Sequence, residues 1–403
     1  MPISPARLGL SHTEFAVARL LFAGPIERHR IAALAGIPSV TCARLLDVLE
    51  QNGWAARVGL SGRTGGRRRL LWSPAGGTKV VAGLLIEVDR VTANLVDLTG
   101  KVLESRSRRL RVVGSGDAFV SAVLEPLQEV AGRLKNRAGR LLGVGVAVPG
   151  IVDRTSGSLG SCAYHSETEW WQGFPLVEHL GKQFPAGYFL DTHSNAEMLG
   201  EIWFGENRSI SDMIYIALEM QGIGAGVLAG GRVFHGFSGA AGEFGHMTIS
   251  YDGPRCRCGG RGCMDAYVSG SGIIRKMVEV RQAGGRSAVF DGLADDAMPT
   301  VEDVVRASVA GDRIASSILG EAGKFLGIGI GNLVNLLNPE LVMLGGELAG
   351  AGTALLDPIN SEVARMAVDK QCPRIVCTPS HPQSSAIGAA ALVFQDIFGL
   401  SGT

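Results

Sequence analysis

One histidine and three cysteines set out the clearest chemistry in the chain: His246, Cys256, Cys258 and Cys263, spaced His-x9-Cys-x-Cys-x4-Cys. Imidazole nitrogen and thiolate sulfur are the ligands of a closed tetrahedral Zn2+ site, and four of them leave no position for a catalytic water. The spacing predicts a structural zinc knuckle, with buried free thiols as the alternative. Gly253, Gly259, Gly260 and Gly262 let so short a loop turn sharply, because glycine accepts positive φ without steric penalty.

The other four of the seven cysteines, Cys42, Cys162, Cys372 and Cys377, are scattered, which argues against a disulfide framework and for a reducing, cytoplasmic setting. No charged leader with a long apolar core opens the chain, since Arg19 interrupts the one early apolar stretch. The apolar run from Val80 to Val88 is broken by Glu87 and is too short to cross a bilayer, so no membrane association is expected. At 403 residues the chain calls for two or three domains. Its formal charge of zero hides an asymmetry: residues 1–80 hold eleven Lys and Arg against four Asp and Glu.

That basic end carries its own signals. Ser11-His12-Thr13-Glu14 has the form of a capping box, followed by Phe15, Ala18, Leu20 and Leu21 at roughly helical spacing. After Gly24-Pro25, a short helix is expected over Arg28–Ala35, ended by Gly36. A third helix should start at Ser39, whose hydroxyl can cap it, and run to Asn52-Gly53 with Leu45, Leu46, Val48 and Leu49 inward. Two helices joined by a tight glycine turn make a helix-turn-helix, whose second member reads base edges with its N-terminal residues. Ser39, Val40, Thr41 and Arg44 are the candidate readers. A hairpin over Arg57–Leu71 would form a wing, with Arg63, Arg67, Arg68 and Arg69 near its tip. The competing view is a helical dimerisation module with a solvated charge run. Crowded arginines favour an anionic partner, and double-stranded DNA supplies one.

Beyond residue 80 glycine-rich loops separate short apolar strands such as Leu142–Val148, Tyr215–Leu218 and Leu341–Leu344, with helices between them at Phe119–Leu134 and Ala315–Leu337. This pattern predicts an α/β body with a cleft. No repeat of solenoid period is visible.

The stretches Gly143 to Asp153, Gly222-Ile223-Gly224-Ala225-Gly226, Ala241 to His246 and the cysteine knuckle ending in Cys263-Met264-Asp265 resemble the ROK family of bacterial repressors and sugar kinases. Asn332 to Glu340, Leu344-Gly345-Gly346 and Gly388-Ala389-Ala390 extend the resemblance over nearly all of residues 83–395. It implies an actin/hexokinase-like fold for residues 80–403, two α/β lobes with the C-terminal helix returning to the first, behind a winged helix-turn-helix over residues 1–79. A winged head in front implies the repressor branch.

The same resemblance implies where kinase chemistry would sit, and two of its requirements are altered. Family kinases wrap ATP phosphate with Asp-x-Gly-Gly-Thr-Lys after the first strand, whereas this chain has Leu85-Ile86-Glu87-Val88-Asp89-Arg90, without the glycines and with two carboxylates. The family's Glu-Asn-Asp-Ala-Asn corresponds to Asp191-Thr192-His193-Ser194-Asn195, so His193 stands at the base and Thr192 at the sugar-binding asparagine. Histidine can accept a proton, but losing both features predicts that the chain is not an enzyme. By the same analogy Thr192, His193, Glu243, His246 and Asp265 line the ligand site, with Asp265 one methylene shorter than the family's glutamate. Tyr164, Trp170 and Trp171 are candidates for stacking on a sugar face, although tryptophans are more often core residues.

The expectation is therefore a DNA-binding transcriptional regulator of carbohydrate-related genes, a repressor by resemblance. A sugar or sugar phosphate would be its effector, a homodimer or homotetramer its assembly, and a double-stranded operator its target. Two other classes remain open: a regulator whose degenerate pocket answers to a protein partner or to nothing, and a surviving carbohydrate kinase.

Overall fold

The computed structural model describes residues 5–60, 69–111, 115–134, 141–163, 165, 168, 170–294, 296–370, 372–378 and 384–399, with the side chains of 384–386 excepted. Arg63, Arg67, Arg68 and Tyr164 lie outside the described residues.

Three helices open the chain: α1 (His12–Leu20), α2 (Arg28–Leu34) and α3 (Ser39–Gln51). The capping box forms as expected, with Ser11 Oγ accepting from Glu14 N at 3.3 Å and Ser11 N donating to the Glu14 carboxylate at 2.7 Å. At α3 the expectation shifts by one residue. Pro38 occupies the N-cap with no side-chain cap, and Ser39 is already helical. α2 and α3 meet at 109°, within the range of helix-turn-helix pairs. A small antiparallel sheet completes the head in the order β1 (Ile26–Glu27), β3 (Leu70–Pro74), β2 (Ala55–Leu60), with β2 and β3 on either side of the segment where the wing is expected.

The body is built from two sheets of one topology. In the first, β4 (Val80–Ile86), β5 (Arg90–Asp97) and β6 (Val102–Arg109) form an antiparallel meander, and β7 (Leu141–Val148) then β10 (Tyr188–Thr192) add in parallel beside β4. A small hairpin, β8 (Val152–Asp153) and β9 (Ser158–Leu159), stands apart. In the second sheet, β11 (Met213–Leu218), β12 (Ile223–Ala229) and β13 (Arg232–Val233) are the meander, with β14 (Leu341–Gly345) and β15 (Arg374–Cys377) parallel beside β11. Parallel neighbours need helical crossovers. The first sheet has α4 (Gly116–Gly132) and α5 (Leu176–Gln183) as its crossovers, followed by α6 (His193–Phe204). The second sheet is joined through α7 (Asp265–Val268), α8 (Gly270–Gln282), α9 (Val301–Val309), α10 (Arg313–Leu337) and α11 (Thr353–Met366). The last helix, α12 (Ser384–Phe398), follows β15.

The chain divides into two compact units, residues 1–209 with 383–400 and residues 210–382 with 401–403. α12 thus belongs to the first unit. Each unit has its own apolar core. The first packs Leu84, Ile86, Ala93 and Leu95 against Phe119, Val123, Leu127 and Trp171. The second packs Ile214, Ile216, Val342 and Leu344 against Leu326, Ile330, Leu355 and Ile359. No single helix among the described residues is long and apolar enough to cross a membrane.

Candidate functional site

A 3-10 turn (Phe244–His246) and the start of α7 carry the knuckle. The loop closes on itself because Ile249 N and Met264 N donate to Gly262 O and Met247 O. Gly262 has φ +65°, and a Cβ there would collide with the Ser250 carbonyl, so no other residue fits the turn. The result brings one ligand atom from each of His246, Cys256, Cys258 and Cys263 to within 4.8 Å of one another. Cys258 Sγ and Cys263 Sγ are 3.7 Å apart, and Cys256 Sγ is 3.7 Å from His246 Nδ1. A regular tetrahedron with metal–sulfur arms of about 2.3 Å has edges of about 3.8 Å, so the donor set fits a four-coordinate ion. None of the three cysteines is in a disulfide. Burial and then the neighbouring Cys258 push the Cys263 thiol up to about 12, and burial also raises Cys256. Against its own burial, Cys258 is lowered by hydrogen bonds from the Gly260 amide and the neighbouring cysteines. A compensating cation is therefore needed for Cys256 and Cys263 to join it as thiolates.

The other nitrogen of His246 faces the surroundings. Nε2 lies 3.7 Å from Glu243 Oε2, longer than a hydrogen bond, on the side of the ring away from the cysteines. Asp265, at the first position of α7 and 8% exposed, accepts from Ile223 N at 3.0 Å through Oδ1. One of its oxygens is thereby committed to the start of β12. Burial raises the Asp265 carboxyl above its usual range, opposed by His246 and the Ile223 amide. Glu243 keeps 43% of its side chain open to solvent, yet burial of the carboxyl, partly opposed by His246 and reinforced by Asp265, also raises it. Glu243, His246 and Asp265 are therefore close enough to influence one another's charge. The Ile223 amide is a partner that residue types could not reveal.

Thr192 and His193 belong to the first unit, at the start of α6. Thr192 is the N-cap, its hydroxyl accepting from Asn195 N at 3.4 Å. His193 Nε2 donates to the Ile86 carbonyl at 2.7 Å. Burial brings its pKa down to about 4, against the opposing pull of the Ile86 and Ala147 backbones, so the ring is neutral near pH 7. Just before it, Asp191 is held by Arg154 at 3.2 Å and by Asn195 Nδ2 at 2.8 Å. The turn between β4 and β5 contains only residues 87–89, and Glu87 N donates to Arg90 O across it at 2.8 Å. This amide faces its own hairpin.

Trp171 is 1% exposed in the core of the first unit, in contact with Phe119, and its ring centroid is 4.0 Å from that of His165. Trp170 packs on Phe119 and Phe174. The core reading of these tryptophans stands over the stacking platform.

In the head, α3 turns Cys42, Leu46 and Leu49 inward and leaves Ser39, Val40, Thr41 and Arg44 exposed, with Val40 74% accessible. A 3.6-residue period puts Val40, Thr41 and Arg44 on one outward stripe. Arg69 is not idle. Its guanidinium lies 3.4 Å from Glu27 and 2.9 Å from His29 Nδ1, which ties β3 to the start of α2. Sequence reasoning missed this contact because the residues are about forty positions apart.

Similarity to known proteins agrees with the geometry. A profile of the ROK family matches residues 81–396. The xylose repressor of Caldicellulosiruptor bescii is 26% identical over 374 residues, covering 92% of each chain. A glucokinase of Halalkalibacterium halodurans is 29% identical over 289 residues, covering 71% of this chain and 86% of its own. Among solved structures, a ROK family transcriptional regulator described as a homologue of the E. coli MLC protein superposes with a TM-score of 0.78 at 22% identity, covering 96% and 97% of the two chains.

Proposed function

Because the chain belongs to the ROK family, we propose that it is a sugar-responsive transcriptional repressor that binds double-stranded DNA through residues 1–79 and a sugar or sugar phosphate through residues 80–403. The observation that carries this reading is a head with an outward reading stripe on α3, joined to a body whose zinc donors are intact. The coverage of relatives supports it. The repressor match spans 92% of this chain, whereas the glucokinase match spans 71%.

Ser39, Val40, Thr41 and Arg44 are proposed to meet base edges, and Arg63, Arg67, Arg68 and Arg69 to meet phosphates. Arg69 would exchange some of its contact with Glu27 for a phosphate. If four to six cations engage the backbone, log affinity falls with log salt at a slope of about −4 to −5.

A structural Zn2+ held by His246, Cys256, Cys258 and Cys263 would fix the knuckle, and with it Glu243 and Asp265 as the ligand-facing carboxylates. The bound ion supplies positive charge and tetrahedral constraint, with no open position for chemistry. Glu243 lies beside the His246 ring, and Asp265 holds the first residue of β12 against α7. In the first unit, Thr192 and His193 are proposed to border the ligand.

Phosphoryl transfer is not proposed. A general base must reach the proton it takes, and Nε2 of His193 is already spent on Ile86 O. A phosphate cradle needs several free amides, and the three-residue turn after β4 directs the Glu87 amide to Arg90. The protein is proposed to act in the cytoplasm as a homo-oligomer on a two-fold symmetric operator.

The test is selection of duplexes from a random library by the full-length protein, then fluorescence anisotropy against salt. Calorimetry with D-xylose, D-glucose and N-acetylglucosamine forms the second arm. Failure to select any duplex at low salt would sink the repressor reading.

A further inference from the structure

Within the first unit, the head rests on the C-terminal helix through aromatic rings. Phe15 of α1 stacks on Phe398 with centroids 5.7 Å apart at 12°, and Trp54 meets the same ring edge-on at 6.2 Å. Phe22, from the turn after α1, lies 4.4 Å from Phe398, 5.6 Å from Phe394 and 5.7 Å from Trp203. Arg208 adds a hydrogen bond to the Phe22 carbonyl at 3.4 Å. Rings at these separations pack as a solid, so the head cannot tilt without moving Phe394 and Phe398 or losing their contacts.

The other side of α12 touches the segment that begins α6. Arg154 bridges Asp191 at 3.2 Å and Asp396 at 3.7 Å, so one guanidinium joins the residue before Thr192 to the helix that holds the head. Asp191 is 2% exposed at its side chain, which makes this contact less screened than a surface pair. α6 runs alongside: a Cβ on Gly388 would come within 2.6 Å of the Ala196 carbonyl. Trp203 at its far end donates to Gln395 Oε1 at 3.2 Å. The twelve residues of α6 cover about 18 Å. Both ends of that span therefore bear on α12.

We infer that α12 is the linkage between the Asp191–His193 segment and the N-terminal head, gripping the segment through Arg154 and Asp396 and the head through Phe394 and Phe398. Asp396 and Phe398 are positioning residues that contact neither DNA nor ligand in this scheme. The inference rests on the DNA-binding reading above and adds a route to it. By linkage, whatever the ligand segment does to the head, the head does in return. DNA is thus a sufficient probe, and the effector need not be known.

The experiment is hydrogen exchange on the full-length protein with and without a duplex that it has itself selected. Amides of residues 191–199 should change exchange rate by about fivefold on DNA binding, a response at the lower end of ordinary coupling. Asp396→Asn should bind the same duplex within about twofold of wild type yet lose most of that remote change. Asp396→Glu, which keeps the charge, should restore it, and Phe398→Leu should weaken it from the head side. If DNA protects only residues 1–79 in the wild type, the linkage is wrong and the DNA-binding reading survives. Undiminished transmission in both Asp396→Asn and Phe398→Leu would also overturn it. If no duplex is selected at all, the functional reading falls and the linkage with it.

Discussion

The two units share a sheet topology but treat their loops in opposite ways. In the second unit the loops around the knuckle keep a full donor set, and every nearby acid has a stated partner: Glu243 with His246, Asp265 with the Ile223 amide. In the first unit the residues at the start of α6 and in the turn after β4 spend their polar groups on the protein itself. His193 donates to Ile86 O, Thr192 caps a helix, and the turn after β4 closes with its own hydrogen bond. One sheet topology can thus carry loops with very different bonding in its two copies, because fold and site are separable properties.

Several measurements can break or sharpen this contrast. The largest expected effect is on phosphoryl transfer. With base and anion cradle both compromised, a coupled ATP assay over a hexose panel should read roughly 10⁴-fold or more below a family kinase. Brisk turnover would abolish the distinction between the halves. Next comes the metal. Cys263→Ser or a strong chelator should remove one equivalent of zinc and destabilise the second unit by on the order of 5 kcal/mol. Metal analysis and thermal melting read this, and exchange in the first unit should hardly change. A protein that melts identically with and without zinc would make the knuckle incidental.

Smaller effects separate the head from both. Arg44→Ala should cost about 1–3 kcal/mol of specific DNA affinity and relax preference at one base position, by anisotropy on single-base variants. An equal loss on every sequence would reassign Arg44 to the phosphates. The smallest effect concerns His193. Its pKa is held down to about 4 in the folded state by burial, against about 6.5 unfolded. Between those values the unfolded chain binds the extra proton, so stability should fall as pH drops from 6.5 towards 4. Urea melts at pH 7 and pH 5 should differ by about 1.8 kcal/mol more in wild type than in His193→Gln. Equal differences would mean that His193 is not buried neutral.

Local signals were read well in the chain because their causes are local. The Ser11–Glu14 capping box, the Gly36 stop after α2 and the outward stripe of α3 each depend on residues within one or two helical turns. The knuckle was legible for the same reason, since its four donors fall within eighteen consecutive positions, 246–263. The duplicated sheet was not. Its two copies share strand order while their residues differ, and backbone pairing tolerates many sequences that present an apolar face. Nor could Ser39 be distinguished from Pro38 as the cap, because a single residue of register depends on how the preceding turn enters the helix.

By itself, the sequence determined which groups were available: four clustered donors that could hold a metal ion, a basic N-terminal head, and Glu87 and Asp89 in the turn after β4. Only the tertiary structure decided where those groups spend their bonds. Asp265 turns to a main-chain amide, His193 to a carbonyl, and Phe15, Phe22 and Trp54 to a helix more than 300 residues away. The physical reason is that hydrogen bonds and ring contacts are satisfied in space, by whichever partners the packed sheets and helices bring near. No spacing along the chain encodes such distant partners.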